Sequence, residues 1–322
     1  YHYQGADIRI GCCVGIALYP DDGEESRKVI GRASAAMRSA RRAKQEYQFH
    51  NPEIHSRASE RLSLETDMQR AFDKDQFSLV YQPIVDADGR IQGAEALIRW
   101  KHPEKGIVPP AAFLPLAAES GFIHSISKWV LYSAADQVAQ WFPRYGIYVS
   151  VNLSAEDFSS HGLEEVLESA LRRSGVSTPG ALKLEITESQ CMIDPDGTVA
   201  QMNRLQTAGF DMFIDDFGTG NSSLGWLKRL PAGTIKIDHS FVDESMTSRE
   251  DREFLTNIVA LARSRRKRVI LEGVGTPQQY DLLKDLVLDG LQGYYFARPV
   301  PPEALEALLA ADARLPVPAP AD

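Results

Sequence analysis

Short apolar segments alternate with amphipathic segments over most of the chain. The apolar segments have the length and residue types of strands, and the amphipathic segments repeat their apolar positions at helical spacing. Strands are predicted at residues 77–84, 91–99, 147–153, 181–187, 211–216, 234–238, 268–274 and 290–295. Helices are predicted at residues 111–119, 124–141, 161–174, 196–208, 249–265, 276–286 and 302–310. Strands and helices in this order favour a (β/α)8 TIM-like barrel, an α/β fold, over an open sheet.

The connection between the first two predicted strands is short. It consists of Asp86-Ala87-Asp88-Gly89-Arg90, which leaves no room for a crossover helix. A hairpin is therefore expected at this point. The hairpin makes one strand of the predicted barrel antiparallel to the others.

The first 50 residues form a compositional block of their own. A β segment is predicted from Asp7 to Tyr19 and a helix from Glu24 to Lys44, with a further helix from Asn51 to Lys74. One strand and one helix cannot enclose a core, so we expect a short N-terminal strand–helix fragment that packs on a neighbour or ends an incomplete domain. The expected organisation is a fragment at residues 1–50, a helical linker at 51–61, a barrel at 62–312 and a disordered tail at 313–322.

Composition limits the partners and the compartment. A formal net charge of −9 on 322 residues gives no general attraction for a nucleic acid polymer or an anionic membrane. Three cysteines without metal-ligand spacing favour a reducing, cytoplasmic setting. The sequence has no apolar run of membrane-spanning length and no secretory signal, so no membrane contact is expected within this chain. A membrane anchor further upstream stays open, because the chain begins without methionine.

Polar residues stand near the ends of seven predicted strands. In a barrel of this kind, the carboxyl ends of the strands and the loops after them form the catalytic rim. Buried carboxylates are costly unless they are paired, and several at one rim repel each other, so a cation is their natural partner. Oxygen ligands favour a hard cation such as Mg²⁺ or Mn²⁺ over zinc. The seven residues are Glu95, Asn152, Glu185, Asp215, Lys236, Glu272 and Gln292.

The adjacent pair Asp215-Asp216 carries the most information about this rim. Side chains alternate along a strand, so neighbours share a site only where the strand breaks into a loop. The segment Phe217-Gly218-Thr219-Gly220 supplies that break. A pair placed in this way could bridge two cations about 3.5–4 Å apart, the spacing used for in-line attack on phosphodiesters.

Three further rim residues suggest chemistry, although each has a simpler interpretation. Lys236 could hold a water or a phosphoryl oxygen, and Gln292 could orient either of them. Glu272 could accept the proton of the water or complete the ligand set of a second cation, and the sequence does not decide between these roles. Taken alone, an acid at a strand end is more often a cap or a surface residue, and Lys236 with Asp238 could be a surface ion pair. The recurrence on seven strands favours a site.

Nine short segments between Leu62 and Leu309 match the pattern of a known family. They are Tyr81–Ile84, Glu95–Trp100, Pro110–Ile123, Asn152–Ser154, Glu185–Glu188, Asp215–Leu224, Lys236–Asp238, Glu272–Val274 and Gln292–Tyr294. Through them, roughly three quarters of the chain resembles the EAL domain, a bacterial phosphodiesterase of cyclic di-GMP. The resemblance implies hydrolysis of cyclic di-GMP to linear pGpG with Mg²⁺ or Mn²⁺ at a two-metal site, where Ca²⁺ is expected to inhibit.

The resemblance also implies a role for individual residues. The first metal would be bound by Glu95, Asn152, Glu185 and Asp215, and the second by Asp215, Asp216 and Glu272. Catalysis would involve Glu272, Lys236, Glu95 and Gln292, and the dinucleotide would contact Gln82, Leu97, Arg99 and Asp238. Glu188 would anchor the loop after Asp216. That loop takes part in dimers of the family, so a homodimer through the barrel is expected.

The chain departs from the family pattern at Gly275, where a glutamate is usual. This replacement removes a charge near the rim and keeps open a second function, a receptor that binds cyclic di-GMP without cutting it. Residues 1–50 resemble the end of a GGDEF domain, as in Val14–Pro20 and Arg32–Met37. The segment with the substrate motif of that domain is absent from the sequence, so this chain is not expected to make cyclic di-GMP.

Overall fold

The structure, a computed structural model, describes residues 2–3, 6–7, 12–42, 45–50, 52–160, 162–219 and 229–316. The chain divides into two compact units, Tyr1–Asp75 and Gln76–Asp322. Within the described residues, no helix is long and apolar enough to cross a membrane.

In the first unit, the described residues form two small sheets and two helices. Strands β1 (His2–Tyr3) and β2 (Ala6–Asp7) pair antiparallel, and β3 (Val14–Ile16) pairs parallel with β4 (Tyr47–Phe49). Helix α1 spans Ser26–Arg42 and α2 spans Pro52–Asp73. Gly15 lies so close to α1 that an added Cβ would come within 1.9 Å of the Ala33 carbonyl oxygen. The absence of a side chain therefore lets β3 pack directly on the helix.

The N-terminal predictions are confirmed only in part by these elements. The β segment expected from Asp7 to Tyr19 is a strand at Val14–Ile16 within the described residues, and residues 8–11 lie outside them. The start of α1 at Ser26 lies close to the predicted start at Glu24, while the predicted end of this helix at residues 43–44 lies outside the described residues.

The second unit is a closed barrel of eight strands. They are β5 (Phe77–Val85), β6 (Ile91–His102), β8 (Tyr148–Asn152), β9 (Leu182–Thr187), β10 (Asp211–Phe217), β11 (Thr234–Ile237), β12 (Arg268–Leu271) and β13 (Gly290–Leu291). Each strand pairs with the next in this order, and β13 returns to β5. The short strand β7 (Gly106–Val108), which the sequence did not predict, extends the sheet beside β6.

Strand β5 is antiparallel to both of its neighbours, and the other seven barrel strands are parallel, as the short connection predicted. The hairpin closes where the amide of Asp86 donates to the carbonyl of Arg90 at 2.9 Å. In this register Gln82 lies opposite Glu95. The hairpin thereby brings two predicted site residues onto adjacent strands.

Helices surround the barrel. They are α3 (Pro110–Ser120), α4 (Ile123–Tyr145), α5 (Ala155–Phe158), α6 (Leu163–Ser174), α7 (Glu188–Cys191), α8 (Pro195–Thr207), α9 (His239–Ser245), α10 (Arg249–Ser264), α11 (Pro277–Leu283) and α12 (Pro302–Ala310). A 3₁₀ turn spans Pro179–Ala181. The short helices α5, α7 and α9 were not predicted, because each is too brief to show a helical period.

The last two barrel strands are shorter than predicted. The amides of Glu272 and Gln292 make the last hydrogen bonds to the neighbouring strands. The chain then leaves the ladder, since Gly273 takes a φ of +76° and the amide of Val274 donates to the Gln292 carbonyl at 3.2 Å. The predicted strand ends at residues 274 and 295 are therefore wrong. The helix predicted at residues 276–286 is also shorter in the structure, where α11 ends at Leu283.

The end of the barrel opposite to the predicted catalytic rim is closed by a hydrophobic plug. Ile84, Phe213 and Ile270 form a buried cluster, and Tyr148 packs against it. The rings of Tyr148 and Phe213 meet edge to face with their centroids 5.7 Å apart. Gly93 makes room for Tyr148, since a Cβ there would lie 2.4 Å from the ring. The polar rim residues consequently line only the other mouth of the barrel.

The segment after α12 begins in an ordered arrangement. Leu315 is buried, and its amide donates to the carbonyl of Gly89 at 2.7 Å. The backbone of Arg314 forms an isolated antiparallel β-bridge with that of Arg90 in the hairpin. The expectation of disorder from residue 313 is therefore wrong for 313–316, because Leu315 has apolar surface to bury, and residues 317–322 lie outside the described residues.

Candidate functional site

Side chains from all eight barrel strands, or from the residues directly after them, meet at one mouth of the barrel. Strand alternation points Gln82 of β5, Glu95 of β6 and Glu185 of β9 into the interior. The other members are Asn152, Asp215, Asp216, Lys236, Glu272 and Gln292. The structure thus brings together the seven rim residues that the sequence singled out, and it adds Gln82 and Asp216 to them.

Lys236 lies at the centre of this group. Its Nζ is 2.6 Å from Glu185 Oε2, 2.6 Å from Glu272 Oε1, 3.2 Å from Glu95 Oε2 and 3.4 Å from Asp215 Oδ1. The side chain is 0 % exposed, which excludes the surface ion pair with Asp238 as its structural role. Burial alone would lower the pKa of Lys236, but the carboxylates around it, led by Glu185 and Glu272, raise that pKa well above its ordinary value.

Glu95 is held by two amide side chains in addition to the lysine. Asn152 Nδ2 donates to Glu95 Oε1 at 2.6 Å, and Gln292 Nε2 donates to Glu95 Oε2 at 2.7 Å. The same Gln292 nitrogen lies 3.3 Å from Gln82 Oε1. Burial would raise the pKa of Glu95, but Lys236 and the two amides outweigh it and lower the pKa. Lys236, Gln292 and Asn152 therefore favour the ionised form of Glu95.

Three other acids of the site have raised pKa values. Burial, opposed by Lys236 and reinforced by neighbouring acids, raises the pKa of Glu185 well above its ordinary value and that of Glu272 to about 8. Burial and the charge of Asp215 also raise the pKa of Asp216. Five carboxyl groups face one ammonium here, so four negative charges stay uncompensated if all five ionise. The site therefore attracts either protons or additional cations.

Asp215 and Asp216 share the site through an irregularity in β10. The register of β10 against β11 shifts between Ile214 and Phe217, and Asp216 takes a φ of +52°. This left-handed conformation is uncommon outside glycine and is strained. The sequence placed the break in the residues after Asp216, whereas the strand continues to Phe217 and the break is a bulge at the aspartates themselves.

The site fits divalent cations by the chemistry of its donors. Carboxylate oxygens of Asp215, Asp216 and Glu272 all lie within 4.8 Å of one another. Three buried side-chain oxygens, Glu185 Oε1, Asp215 Oδ1 and Gln292 Oε1, accept no hydrogen bond from the described residues. Buried acceptors normally have a partner. Hard oxygen donors gathered without enough donors to satisfy them are what Mg²⁺ or Mn²⁺ would complete.

Glu188 contacts the loop after Asp216. It is the first residue of α7 and is buried, and its Oε2 accepts a hydrogen bond from the amide of Gly218 at 2.6 Å. Gly218 has a φ of +101°, and a Cβ there would lie 2.5 Å from the ring of Phe241. The start of the loop is therefore fixed at two points. Residues 220–228, the rest of the loop that the resemblance includes, lie outside the described residues.

A cavity of about 420 Å³ opens over the acidic group. Leu97 and Gln82 lie in its wall, as the resemblance implied for residues that contact the dinucleotide. The wall also contains residues that sequence reasoning did not assign to the site, namely His239, Gly273, Gly293 and Tyr294. Tyr294 was visible in the sequence only as the residue after Gln292-Gly293, and its ring is stacked by the guanidinium of Arg298 at 4.3 Å.

Two residues that the resemblance assigned to the substrate lie outside that wall. Arg99 Nη1 donates to the neighbouring carbonyl of Ile98 at 2.9 Å. The carboxylate of Asp238 is the N-cap of α9, where it accepts hydrogen bonds from Ser240. These hydrogen bonds lower the pKa of Asp238 although burial opposes them. The predicted substrate contacts of Arg99 and Asp238 stay predictions.

Gly275 also lines the cavity. An added Cβ would meet nothing closer than Gln279 Oε1 at 3.5 Å, which is ordinary van der Waals contact. The space around the backbone therefore does not require a glycine at this position.

The EAL domain family matches residues 65–299 of the chain. The bifunctional diguanylate cyclase/cyclic di-GMP phosphodiesterase MucR of Pseudomonas aeruginosa is 39% identical over 314 residues, which cover 96% of this chain and 46% of MucR. The cyclic di-GMP phosphodiesterase PdeR of Escherichia coli is 33% identical over 303 residues, which cover 93% of this chain and 46% of PdeR. The chain spans about half the length of these curated relatives.

Two solved structures share the fold. The phosphodiesterase PaMucR in complex with c-di-GMP is 40% identical, with a TM-score of 0.72 over 76% of this chain and 99% of that one. The FimX EAL domain from Pseudomonas aeruginosa, bound to c-di-GMP, is 26% identical, with a TM-score of 0.68 over 74% of this chain and 96% of that one. These likenesses confirm the predicted TIM-like barrel. Since the family match extends over more than half of the chain, the chain belongs to the EAL domain family.

Proposed function

We propose that this chain hydrolyses cyclic di-GMP to linear pGpG with the help of divalent cations. The observation that carries the proposal is the convergence of five carboxyl groups around the buried Lys236 at one mouth of the barrel. The names of MucR and PdeR, and the c-di-GMP in the PaMucR structure, support the choice of substrate. The excess of negative charge in the site supports the binding of divalent cations.

Mg²⁺ or Mn²⁺ would be held at two neighbouring positions. Glu95, Asn152, Glu185 and Asp215 are the residues for one of them, and Asp215, Asp216 and Glu272 for the other. When bound, such ions supply Lewis-acid stabilisation of the phosphoryl oxygens and a more acidic water. Their charge would also relieve the repulsion among the carboxylates, which for two unit charges 4 Å apart is about 4 kcal/mol at an effective dielectric constant near 20.

The reaction adds one water across a phosphodiester. A bond forms between the water oxygen and phosphorus, and the bond from phosphorus to the 3′ oxygen breaks. The phosphate then stays on the 5′ carbon, and the 3′ oxygen leaves with a proton from solvent. Glu272 accepts the proton of the attacking water where it does not complete the ligand set of the second cation. Lys236, 2.6 Å from Glu272, orients that carboxylate and the water.

The cavity above these groups receives the dinucleotide. Gln82 and Gln292 offer amide groups to it, and Leu97 offers apolar surface. The guanidinium of Arg99 would contact a phosphate oxygen after exchanging its hydrogen bond to the Ile98 carbonyl. Asp238 would act through the position of α9, which it caps.

Turnover separates this proposal from a receptor that binds without cutting. Calorimetry with cyclic di-GMP and Ca²⁺ measures binding, and replacement of Ca²⁺ by Mn²⁺ then starts the reaction in a phosphodiesterase. Formation of pGpG after the replacement supports the proposal. Tight binding that persists in Mn²⁺ without product supports the receptor, for which the glycine at position 275 is the structural argument.

Association of two copies is a further part of the proposal. The loop after Asp216 reaches Phe241 of α9, whose ring stacks on Phe254 of α10 with centroids 6.1 Å apart. Phe254 is exposed. A homodimer through this side of the barrel would cover that ring, and sedimentation of the wild type and of Phe254→Glu measures whether it forms. The GGDEF-like origin of residues 1–50 and a cytoplasmic location stay predictions.

A further inference from the structure

The loop that carries Glu272 is fastened by a buried glutamine. Gln279, in the first turn of α11, is 9 % exposed. Its Oε1 accepts hydrogen bonds from the amides of Gly275 at 2.8 Å and Thr276 at 3.1 Å. Thr276 Oγ1 accepts in return from the Gln279 amide at 3.2 Å, which completes a capping box. One side chain therefore fixes both the end of the loop and the start of the helix.

The other end of the same amide reaches a neighbouring helix. Gln279 Nε2 donates to Asp243 Oδ1 at 3.0 Å. Asp243 lies in α9, which begins three residues after Lys236. The glutamine thus connects the segment that follows β12, with Glu272, to the segment that follows β11, with Lys236.

These two segments touch directly as well. Gly273 has a φ of +76°, and a Cβ there would lie 2.2 Å from Cβ of His239, the first residue of α9. On its other side the loop is fixed by the hydrogen bond from the Val274 amide to the Gln292 carbonyl. A release of the Gln279 contact would free the loop on the side that faces α9. Glu272 stands at the start of this loop, and its Oε1 lies 2.6 Å from Lys236 Nζ.

We propose that Gln279 is a positioning residue that acts through Asp243 to hold Glu272 in register with Lys236. The inference rests on the proposed function, because it says that hydrolysis requires the fixed distance between Glu272 and Lys236. A glutamine is suited to this place since its oxygen accepts two amide hydrogens while its nitrogen donates to a carboxylate. A glutamate would keep the first contact and replace the second by two facing carboxylates. A glutamate at position 279 together with an asparagine at position 243 therefore exchanges donor and acceptor in the contact between these two residues.

The test is a cycle of three variants with the wild type. Gln279→Glu places a carboxylate against Asp243, and we expect kcat to fall about 10- to 100-fold with little change in KM. Asp243→Asn keeps an acceptor for Gln279 and is the matched control, with turnover close to the wild type. The double variant Gln279→Glu with Asp243→Asn restores one donor and one acceptor, so we expect its kcat to recover to within about threefold of the control.

Mn²⁺ affinity, measured by calorimetry without substrate, gives a readout besides activity. Gln279→Glu should weaken it and the double variant should restore it. Recovery of kcat and Mn²⁺ affinity in the double variant supports the inference. Unchanged kcat in Gln279→Glu, or no recovery in the double variant, overturns it.

Two further outcomes, a variant that does not fold and a wild type that forms no product, are each resolved by an additional measurement. If Gln279→Glu does not fold, Asp243→Ala removes the acceptor while the two loop contacts of Gln279 remain. A lower kcat than in Asp243→Asn then supports the inference, and an equal kcat overturns it. If the wild type forms no pGpG, the proposed function fails, and the Mn²⁺ affinities alone decide whether Gln279 positions the loop.

Discussion

Lys236 Nζ lies 2.6 Å from Glu185 Oε2, and neither side chain is exposed to solvent. A buried ion pair of this kind gains little unless other groups complete it, because both charges lose their hydration. Three more carboxylates reach the same ammonium within 3.4 Å. The single positive charge of Lys236 neutralises only part of the negative charge of these carboxylates, so the site needs further cations.

Removal of this ammonium should abolish the function. In Lys236→Met we expect turnover to fall by at least about 10²–10³-fold, because a buried charge next to the reacting groups is lost. The thermal midpoint should fall as well, since the facing carboxylates lose their partner.

Lys183 offers a matched control for this substitution. It is a second buried lysine on a barrel strand and pairs with Asp211 at the plugged end of the barrel. Lys183→Met should lower the thermal midpoint and leave turnover close to the wild type. Equal turnover in Lys236→Met and Lys183→Met would contradict the role of Lys236.

The cation-free protein should lose stability as the pH rises through neutrality. Glu272 has a pKa of about 8 in the folded chain against an ordinary value of 4.5, so the folded state binds the extra proton between these values. The stability that this group contributes is fully present below about pH 4.5 and is lost as the pH rises to about 8, by up to about 1.4 kcal/mol per pH unit. Urea unfolding in EDTA at stepped pH measures this slope. Glu272→Gln should flatten it, and a slope that is unchanged in this variant would rule out Glu272 as its source.

Uptake of Mn²⁺ near pH 7 should release protons. The pKa of Glu272 is raised to about 8 and that of Glu185 well above its ordinary value, and a cation binds the ionised forms. Titration calorimetry in two buffers of different ionisation enthalpy counts the protons, and fewer should be released in Glu272→Gln. Ca²⁺ should compete for the site and inhibit turnover. Binding without proton release would mean that the acids are already ionised or that the ion binds elsewhere.

The contact of Glu188 with the loop after Asp216 should matter for turnover. Glu188→Leu removes the acceptor of the Gly218 amide, and we expect kcat to fall about 10- to 100-fold because the bulge that places Asp216 loses its support. Glu188→Gln keeps an acceptor oxygen and serves as the control, with a smaller loss. Equal turnover in the two variants would show that the hydrogen bond itself does not position Asp216.

A glutamate at position 275 should increase turnover. The position is open enough for a side chain, and the loop backbone there is not left-handed. Gly275→Glu restores the acid that is usual in the family, and the ratio of kcat to KM measures its effect. The comparison is Gly273→Ala, which should be destabilising because its Cβ would meet His239. Lower turnover in Gly275→Glu, with the thermal midpoint unchanged, would contradict this expectation.

Much of the barrel could be predicted from the sequence because strand and helix periods differ. The antiparallel first strand followed from the length of the Asp86–Arg90 connection alone, and the rim acids followed from their place at the ends of apolar segments. The early ends of β12 and β13 could not be predicted, since Gly273 leaves the ladder through a conformation that hydropathy does not encode.

The parts of the site that sequence reasoning missed depend on tertiary contacts. The pattern does not show that His239 and Tyr294 line the cavity, since His239 begins α9 and Tyr294, which was predicted within a strand, lies after the end of β13. Asp238 followed a strand as the other acids did, yet its carboxylate caps the next helix. The bulge at Asp215-Asp216 was anticipated as a break, but its position within β10 follows from pairing with β11.

Chromatography of cyclic di-GMP incubated with the chain and Mg²⁺ or Mn²⁺ measures hydrolysis itself. We expect pGpG to form with either cation, and we expect none when EDTA removes the cation or when the variant Glu95→Ala replaces the wild type. Absence of product from the wild type in both cations, or equal product from Glu95→Ala, would contradict the proposed function.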